Sequence, residues 1–374
     1  MNVLLQNMYE QPGELKRVLE DLCTGRLEMV RQICAQMQAT DEIVLTSMGS
    51  AYYSLMPMYE ALLASRQRKA SRISLVETAE LICHPERINK NALFVLMSRS
   101  GESREVADFS KYLRASGCQS VAVTMTPDST MAQNCNIVLH DIASYDAIVC
   151  IKAYSTLALC GLFCASMLDR LNPDAALIER LHRLFDWMEQ EKERMFSDVA
   201  SIPYFEACDG FYLLSRGFGV NMMRSGALWI EEVAKTMSNA MSIDNFFHGP
   251  MEIIRSHAIV GQVTTPMFLS VRPDARSDMI WGKINDAVPE SVYIGPLDGE
   301  PGRAPNSSAV LQAGGCDDLS ILRAGVHLMY PTFGLPDAYT AFPIALYLQL
   351  ISYCCAQAKS IEPGMFFDEG WIVQ

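Results

Sequence analysis

Short apolar runs, many of them rich in β-branched residues, alternate along the chain with longer segments of helical periodicity. Such runs, bounded by polar or turn-forming residues, are typical of buried strands, and strands that alternate with helices form parallel sheets. The predicted strands are 43–45, 73–76, 92–97, 121–123 and 137–139, then 211–214, 240–243, 267–271, 291–294 and 326–330. The pattern therefore predicts an α/β fold of two successive units, each a parallel five-stranded sheet flanked by helices.

Three helical segments frame the two units. Residues 1–40 show helical recurrence of apolar positions, with Pro12 predicted at a helix start. Residues 172–197 are predicted to form a charged helical connector and 342–358 an apolar helix, whereas the turn-rich 295–315 is predicted to be an exposed loop. The predicted division is 1–40 N-terminal helical segment, 41–170 first domain, 171–199 connector, 200–358 second domain and 359–374 C-terminal tail.

Length, charge and apolar content limit the classes of function. A chain of 374 residues is long enough for two domains, and its net charge of −13 without any basic run argues against nucleic-acid binding. No uninterrupted apolar run reaches the roughly 18 residues of a membrane span, so 157–167 and 345–355 are predicted to be buried helices. The first residues do not resemble a secretory signal. We therefore expect a cytoplasmic protein that contacts neither membrane nor nucleic acid.

The twelve cysteines show no spacing typical of zinc ligands and lie mostly within apolar segments. They are predicted to be buried and reduced, and no metal site is predicted.

A glycine-serine turn follows the first predicted strand, in the segment 46–52. Gly49 allows close approach of the backbone to a ligand, and Ser50 offers a hydroxyl and an N–H group to an anion. The segment is equally compatible with simple capping of the following helix by Ser50.

A serine-rich turn, Ser98-Arg99-Ser100-Gly101-Glu102-Ser103, follows the third predicted strand and opens a helix at about residue 104. Unpaired N–H groups and the helix dipole favour an anion there, and three hydroxyls exceed what a helix cap requires. A capping box would need Glu or Gln three residues after Ser100, where the sequence has Ser103. The turn therefore predicts a phosphate site.

Two adjacent carboxylates, Glu231 and Glu232, lie on an amphipathic helical segment, and His248 follows Glu232 by sixteen residues. A carboxylate and an imidazole that reach one ligand form a general acid–base pair. From the residues alone, Glu232 is also compatible with a solvated helix face, and His248 with a capping or core role. Adjacent helix positions do not share a face, so only one of the two glutamates is expected to act.

Together these segments resemble the sugar isomerase (SIS) domain family, above all the isomerase half of glucosamine-6-phosphate synthase and the related deglycases. The similar segments run in order along nearly the whole chain: Tyr9–Pro12, 46–52, 98–103, Ile151–Tyr154, Ala227–Glu232, His248–Pro250 and Phe342–Lys359. The resemblance implies two tandem doubly wound SIS domains and a homodimer with active sites near the subunit interface.

The resemblance also implies roles for individual residues. Glu232 corresponds to the catalytic base, and His248 to a histidine that opens the sugar ring and comes from the neighbouring subunit. The predicted phosphate ligands are Ser50, Ser98, Arg99, Ser100 and Ser103, and the other predicted substrate contacts are Gly49 and Lys152.

Departures from the synthase narrow the expected reaction. No glutaminase segment is present in the sequence, Trp229 replaces a lysine three residues before the base, and no lysine follows Lys359. A synthase that makes an amine needs those parts, whereas a deglycase does not. We therefore expect cleavage of a phosphorylated Amadori-type sugar amine, such as fructoselysine or glucoselysine 6-phosphate, with no cofactor. The alternatives are sugar-phosphate isomerisation, amino-sugar deamination and, in another class, non-catalytic sensing of a sugar phosphate.

Overall fold

The structure, a computed structural model, describes residues 2–65, 70, 72–146, 148–168, 172–202, 204–255, 263–272, 274–289, 291–297 and 326–366. Its contacts divide the chain into two compact units. The first unit comprises Met1–Lys192 with Glu362–Gln374, and the second comprises Glu193–Ile361.

The first unit contains a parallel five-stranded sheet. Its strands are β1 (Glu42–Ser47), β2 (Arg72–Glu77), β3 (Leu93–Ser98), β4 (Gln119–Thr124) and β5 (Ile137–His140). They lie in the order β2-β1-β3-β4-β5. The helices are α1 (Val3–Cys23), α2 (Leu27–Ala39), α3 (Gly49–Ser54), α4 (Met56–Ala64), α5 (Thr78–Cys83), α6 (Arg104–Ser116), α7 (Thr130–Asn134) and α8 (Lys152–Met167). A long helix, α9 (Ala175–Ala200), runs from the first unit into the second.

The second unit also contains a parallel five-stranded sheet. Its strands are β6 (Gly210–Ser215), β7 (Met237–Ser242), β8 (Thr264–Leu269), β9 (Val292–Pro296) and β10 (Val326–Tyr330). They lie in the order β10-β9-β8-β6-β7. The described helices are α10 (Phe218–Ala234), α11 (Ile243–Phe246), α12 (Ala275–Ala287) and α13 (Ala341–Ala358).

Counted from its own first strand, each sheet has the order 2-1-3-4-5, which is a doubly wound topology. The predicted α/β fold with two parallel five-stranded sheets is therefore confirmed. In such sheets the strand order reverses beside the first strand, and ligands bind outside the carboxyl ends of the strands at that point. In the first unit this edge holds the loops after β1 and β3.

Apolar burial explains why these segments form central strands. All six residues of β3 are buried, because helices cover both faces of a parallel sheet. One core of the first unit joins β3 to α6 through the rings of Phe94 and Phe109, whose centroids are 5.8 Å apart. In the second unit Phe268 stacks on Trp281 with centroids 5.4 Å apart.

Pro12 lies inside α1, so its predicted place at a helix start is wrong. The helix begins earlier because the Asn2 side chain accepts a hydrogen bond from the Leu4 N–H at 2.8 Å. A proline cannot donate to the carbonyl four residues before it. The Gln11 side-chain amide donates to the Met8 carbonyl instead, at 3.2 Å, so that carbonyl keeps a partner.

Strand boundaries in the second unit differ from the predictions by a few residues. β7 begins three residues before the predicted 240–243, and Ile243 starts a helix. β8 likewise begins three residues before the predicted 267–271. Gly295 and Pro296 belong to β9 rather than to a loop, and residues 298–315 of the predicted loop lie outside the described residues.

The apolar helices are buried, as predicted. Nearly all residues of α8 and α13 are inaccessible. Among the described residues, one helix is long and apolar enough to cross a membrane: α13 together with the helical turn before it, Asp337–Ala358. However, 89% of its most apolar segment is buried inside the protein. Burial by protein, rather than by lipid, accounts for its composition.

Candidate functional site

The serine loop, residues 98–103, connects the carboxyl end of β3 to α6 in the first unit. The Ser98 hydroxyl accepts the N–H of Gly101 at 3.0 Å, and the Ser100 hydroxyl accepts the N–H of Glu102 at 3.2 Å. Ser103 is the N-cap residue of α6, but its side chain makes no capping hydrogen bond. The N–H groups of the first turn of this helix are therefore not capped by a side chain, and they favour an anion.

Gly101 allows the serine loop to turn back on the sheet. Its φ angle is +65°, and a β-carbon there would lie 2.0 Å from the Ser129 hydroxyl oxygen. The Gly101 carbonyl accepts the N–H of Met131 at 3.1 Å, and the Glu102 carboxylate accepts the N–H of Thr130 at 2.7 Å. Contacts with α7 thus hold the loop in one conformation.

The turn after β1 presents Ser50 at the same edge of the sheet. Met48 is the N-cap of α3, so Ser50 does not cap this helix and lies within its first turn. The Ser50 hydroxyl oxygen is buried and has no hydrogen-bond partner among the described residues. Gly49, with φ +54°, has nothing within 4 Å of the position of a β-carbon, which leaves open space beside the turn.

Arg99 is held by a different part of the first unit. Its guanidinium donates to the Ile148 carbonyl at 3.0 Å and lies 5.1 Å from the centre of the Tyr145 ring. Its carbonyl accepts the hydroxyls of Thr124 and Thr126. In this structure the side chain therefore ties the serine loop to residues 145–148, and its role as a phosphate ligand stays a prediction.

Lys152 is buried, with 3% of its side chain exposed, and its ammonium donates to the Glu10 carboxylate at 2.7 Å. It also donates to the Ser144 hydroxyl at 2.8 Å. The hydrogen bond from Lys152 is the largest cause that lowers the pKa of Glu10. Lys152 thus holds α1 against α8, and its predicted substrate contact is not tested by these interactions.

The N-terminus of α8 already contains an anion. The buried Asp146 carboxylate accepts the backbone N–H groups of Ile151, Lys152 and Ala153 at 2.8 to 3.0 Å. Burial raises the pKa of Asp146, while these hydrogen bonds oppose the increase. This helix start is therefore occupied by the chain itself.

A second buried carboxyl, Asp141, directly follows β5 and was not singled out from the sequence. Its Oδ1 accepts the N–H of Ala143 at 3.0 Å, and burial raises its pKa to about 6. The feature of the sequence that could have identified Asp141 is its position directly after a predicted strand.

The two adjacent glutamates of α10 have different surroundings in the second unit. Glu231 is exposed, and its carboxylate accepts the N–H of Ser238 at 3.2 Å. Glu231 also lines a cleft of about 230 Å³ at the amino ends of β6, β7 and β8. Glu232 is half-buried, and its Oε2 oxygen is inaccessible. The two carboxylates thus point to different places, as expected for adjacent positions on a helix.

Trp229 lies on the same face of α10 as Glu232, and Lys235 is the C-cap residue of this helix. Trp229, one turn before Glu232, is 1% exposed. Lys235, at the end of the helix, has φ +51°, and its ammonium donates to the Glu232 carbonyl. Burial lowers the pKa of Lys235, and the Glu232 charge opposes the decrease. The sequence reasoning did not single out Lys235.

His248 is exposed and follows α11 in a turn. Its backbone N–H donates to the Asn245 carbonyl at 3.0 Å. Gly249, with φ +145°, follows it and lets the chain change direction. The imidazole is thus available at the surface of the second unit.

No group of three or more His, Cys, Asp or Glu side chains that could hold a metal ion is present among the described residues. The eleven cysteines of the described part of the chain are free thiols, and seven of them are buried. Burial raises the pKa of Cys34 to about 12 and that of Cys354 to about 12, so these thiols are protonated and inert.

Comparison with known proteins shows similarity to one family model and to several relatives. The SIS domain family model matches residues 70–166, which include the serine loop. The chain is 23% identical over 257 residues to the glutamine–fructose-6-phosphate aminotransferase (isomerizing) of Sulfolobus acidocaldarius, a match that covers 67% of the chain and 41% of the relative. It is 24% identical over 282 residues to that of Clostridium tetani, covering 70% and 44%. The matched region is thus less than half the length of these relatives.

Solved structures show the same fold. The C-terminal domain of glucosamine-fructose-6-phosphate aminotransferase from Francisella tularensis aligns over 96% of both chains, with a TM-score of 0.74 and 16% identity. Tagatose-6-phosphate ketose/aldose isomerase from Escherichia coli aligns over 100% of this chain and 97% of that one, with a TM-score of 0.73 and 16% identity. Residues 70–166 therefore match the SIS domain family model, and the fold of the chain is similar to that of the aminotransferase C-terminal domain.

Proposed function

We propose that the protein is a deglycase that cleaves a phosphorylated Amadori-type sugar amine into a hexose 6-phosphate and a free amine. Fructoselysine 6-phosphate and glucoselysine 6-phosphate are the representative substrates. The observation that carries this proposal is the surroundings of Glu232, a half-buried carboxylate with the buried Trp229 one turn before it. The family resemblance implies a lysine at that position in a synthase, which makes an amine, so Trp229 favours the deglycase.

The proposed reaction requires only proton transfers and water. Glu232 removes a proton from the carbon that bears the nitrogen, and the electron pair of the broken C–H bond forms an enolamine with the neighbouring carbonyl carbon. The proton returns to that neighbouring carbon, which leaves an imine. Water then adds to the imine carbon, the carbon–nitrogen bond breaks, and the amine leaves with a proton. The substrate carbonyl accepts the electrons, so no oxidant or reductant is needed.

The phosphate-binding role is proposed for the first unit. Ser50, Ser98, Ser100 and Ser103 lie at the carboxyl edge of its sheet, where the doubly wound topology favours ligand binding. The first turn of α6 and the Ser50 hydroxyl offer donors that the described part of the chain does not use. A phosphate ester matches such donors in charge and in its number of acceptors.

We also propose that the protein acts as a homodimer and that His248 assists ring opening in the partner's active site. Its exposure in the second unit supports this arrangement. Mixing Glu232→Gln and His248→Gln proteins tests it, after dissociation and reassociation of the subunits. If the two residues act across the interface, each mixed dimer contains one intact site, and about a quarter of wild-type activity returns. No recovery would show that both residues act within one subunit.

The proposed reaction is tested by incubating the protein with fructoselysine 6-phosphate, glucoselysine 6-phosphate and glucosamine 6-phosphate. Release of lysine and hexose phosphate from either of the first two supports the deglycase. Ammonia from glucosamine 6-phosphate would indicate a deaminase, and interconversion of hexose phosphates without loss of an amine would indicate an isomerase. Binding of these esters without any product would indicate a sugar-phosphate sensor and overturn the enzymatic proposal.

A further inference from the structure

Lys235 occupies a backbone conformation that normally favours glycine. With φ +51° and ψ +33°, it is in the left-handed region directly after α10. Helices commonly end with such a residue, but glycine is usual because a side chain there costs roughly 1 kcal/mol. A lysine at this point therefore needs a compensating interaction.

The Lys235 side chain folds back on the end of the helix rather than extending into water. Its ammonium donates to the backbone carbonyl of Glu232, and the residue is half-buried. Glu232 is three residues before it, so the bond fixes the ammonium beside the residue proposed as the base. The acceptor is the carbonyl of Glu232 itself, so the ammonium lies close to the residue that carries the carboxylate.

The other titratable groups near this helix end have different partners. The Glu231 carboxylate accepts the Ser238 N–H, and the Lys359 ammonium, just after α13, donates to the Cys208 carbonyl. The side of Glu232 towards the helix start is occupied by Trp229, which carries no charge. Lys235 is therefore a cation that a hydrogen bond holds at the end of α10, next to the residue proposed as the base.

We propose that Lys235 is a positioning residue of the active site, whose ammonium fixes the end of α10 and keeps the Glu232 carboxylate ionised as a base. This inference rests on the proposed role of Glu232 as the base. A positive charge near a carboxylate favours its ionised form, and a close opposite charge typically shifts a titration by about 1–3 pH units. Because this site is partly exposed, we expect a shift near the lower end of that range.

The first test measures charge independently of turnover. Protein labelled with ¹³C at the glutamate carboxyl groups is titrated by NMR, and the Glu232 signal is assigned by its loss in Glu232→Gln. Lys235→Met is expected to move the midpoint of this signal upward by about one pH unit, and Lys235→Arg to restore it. An unchanged midpoint in Lys235→Met would show that Lys235 only caps the helix and would overturn the inference.

The second test separates this charge effect from backbone strain. Lys235→Gly removes the strained left-handed lysine, so we expect a higher melting temperature together with the same upward shift in the acid limb of kcat. Ser360→Gly is the matched control, because exposed Ser360 has φ +57° just after α13. It should also raise the melting temperature, while leaving the pH profile unchanged. A wild-type protein without turnover would contradict the deglycase, whereas the NMR midpoints would still decide the role of Lys235.

Discussion

The carboxyl edges of the two sheets have the same construction but different chemistry. After the first strand of each unit, a serine hydroxyl donates to a carbonyl at the end of the third strand: Ser47 to Met97, and Ser215 to Leu269. A glycine follows two residues later in both units, with φ +54° at Gly49 and +53° at Gly217. The turns therefore agree in register and in the φ of this glycine.

The next residues differ. Ser50 in the first unit corresponds to Phe218 in the second, which is packed into the core. The loop after β8, which corresponds to the serine loop, carries Asp274. This carboxylate binds Arg216 of the turn after β6 at 3.0 Å, and Arg216 also binds Asp244 at 2.9 Å. Those charges are neutralised within the chain, whereas the first unit presents hydroxyls. The two edges thus share a topology and differ in their loop side chains, and we propose an external anion only at the edge of the first unit.

Two helix N-termini within the first unit differ in the same way. The N-terminus of α8 is filled by the buried Asp146 carboxylate, whereas α6 begins with Ser103 and has no side-chain cap. A helix start attracts an anion in both places. At α8 the chain supplies the anion itself, whereas at α6, where the N-cap side chain makes no capping hydrogen bond, we propose that the substrate phosphate occupies the position.

The largest expected effect concerns the second unit. Glu232→Gln removes the proposed base and keeps the shape, so we expect turnover to fall by about 10²- to 10⁴-fold with phosphate-ester affinity nearly unchanged. Glu231→Gln is the matched control and should change kcat little, because Glu231 is exposed and bound to the Ser238 N–H. Turnover near the wild-type rate in Glu232→Gln would exclude Glu232 as the base.

The buried Asp141 is expected to make the stability of the first unit depend on pH. Its pKa is raised to about 6, so the folded state holds this proton more tightly than the unfolded chain. The associated stability is full below about pH 4 and is lost as the pH rises through about 6, on the order of 3 kcal/mol in total. Asp141→Asn should abolish this loss, measured by urea denaturation from about pH 4 to pH 7. If the unfolding free energies of the wild-type protein and of Asp141→Asn changed with pH in parallel, Asp141 would not be the group responsible.

Removing a hydroxyl tests the serine loop directly. Ser100→Ala should weaken binding of a sugar phosphate by about 10-fold, since a hydrogen bond to a charged group contributes about 1.5–3 kcal/mol. The measurement is calorimetric titration with a hexose 6-phosphate. Ser270→Ala, just after β8 in the second unit, is the control and should leave the affinity unchanged. Equal losses from both substitutions would remove the distinction between the two edges.

The smallest expected effect compares two glycines of positive φ. Gly101→Ala combines a positive φ with a β-carbon 2.0 Å from the Ser129 hydroxyl, so we expect it to lose more unfolding free energy than Gly217→Ala. Gly217→Ala meets open space, and only its backbone conformation, φ +53° and ψ −133°, costs free energy, about 1–3 kcal/mol. Chemical denaturation measures both. A loss in Gly101→Ala no greater than that in Gly217→Ala would show that the loop relaxes around the added methyl group.

Local pattern was sufficient for the strands and the buried helices. Strand β10 begins and ends where the apolar run predicts. The fully buried β3 lies within one residue of its prediction, because a strand that is covered on both faces is largely apolar. Pro12 was misplaced because the prediction weighed its missing N–H and not the Gln11 amide that satisfies the freed carbonyl. Such compensation comes from a particular side-chain conformation, which the pattern does not specify.

The sequence by itself determined two parallel-sheet units, the serine loop at a helix start, and a glutamate pair with a distant histidine, since periodicity, turn residues and motif spacing are local properties. Only the tertiary structure decided the partners of the charged residues. It joined Lys152 to Glu10 across 142 residues, separated the surroundings of Glu231 from those of Glu232, and placed Lys235 against the Glu232 carbonyl. Charges interact through space and according to burial, so their roles depend on which distant segments the fold brings together.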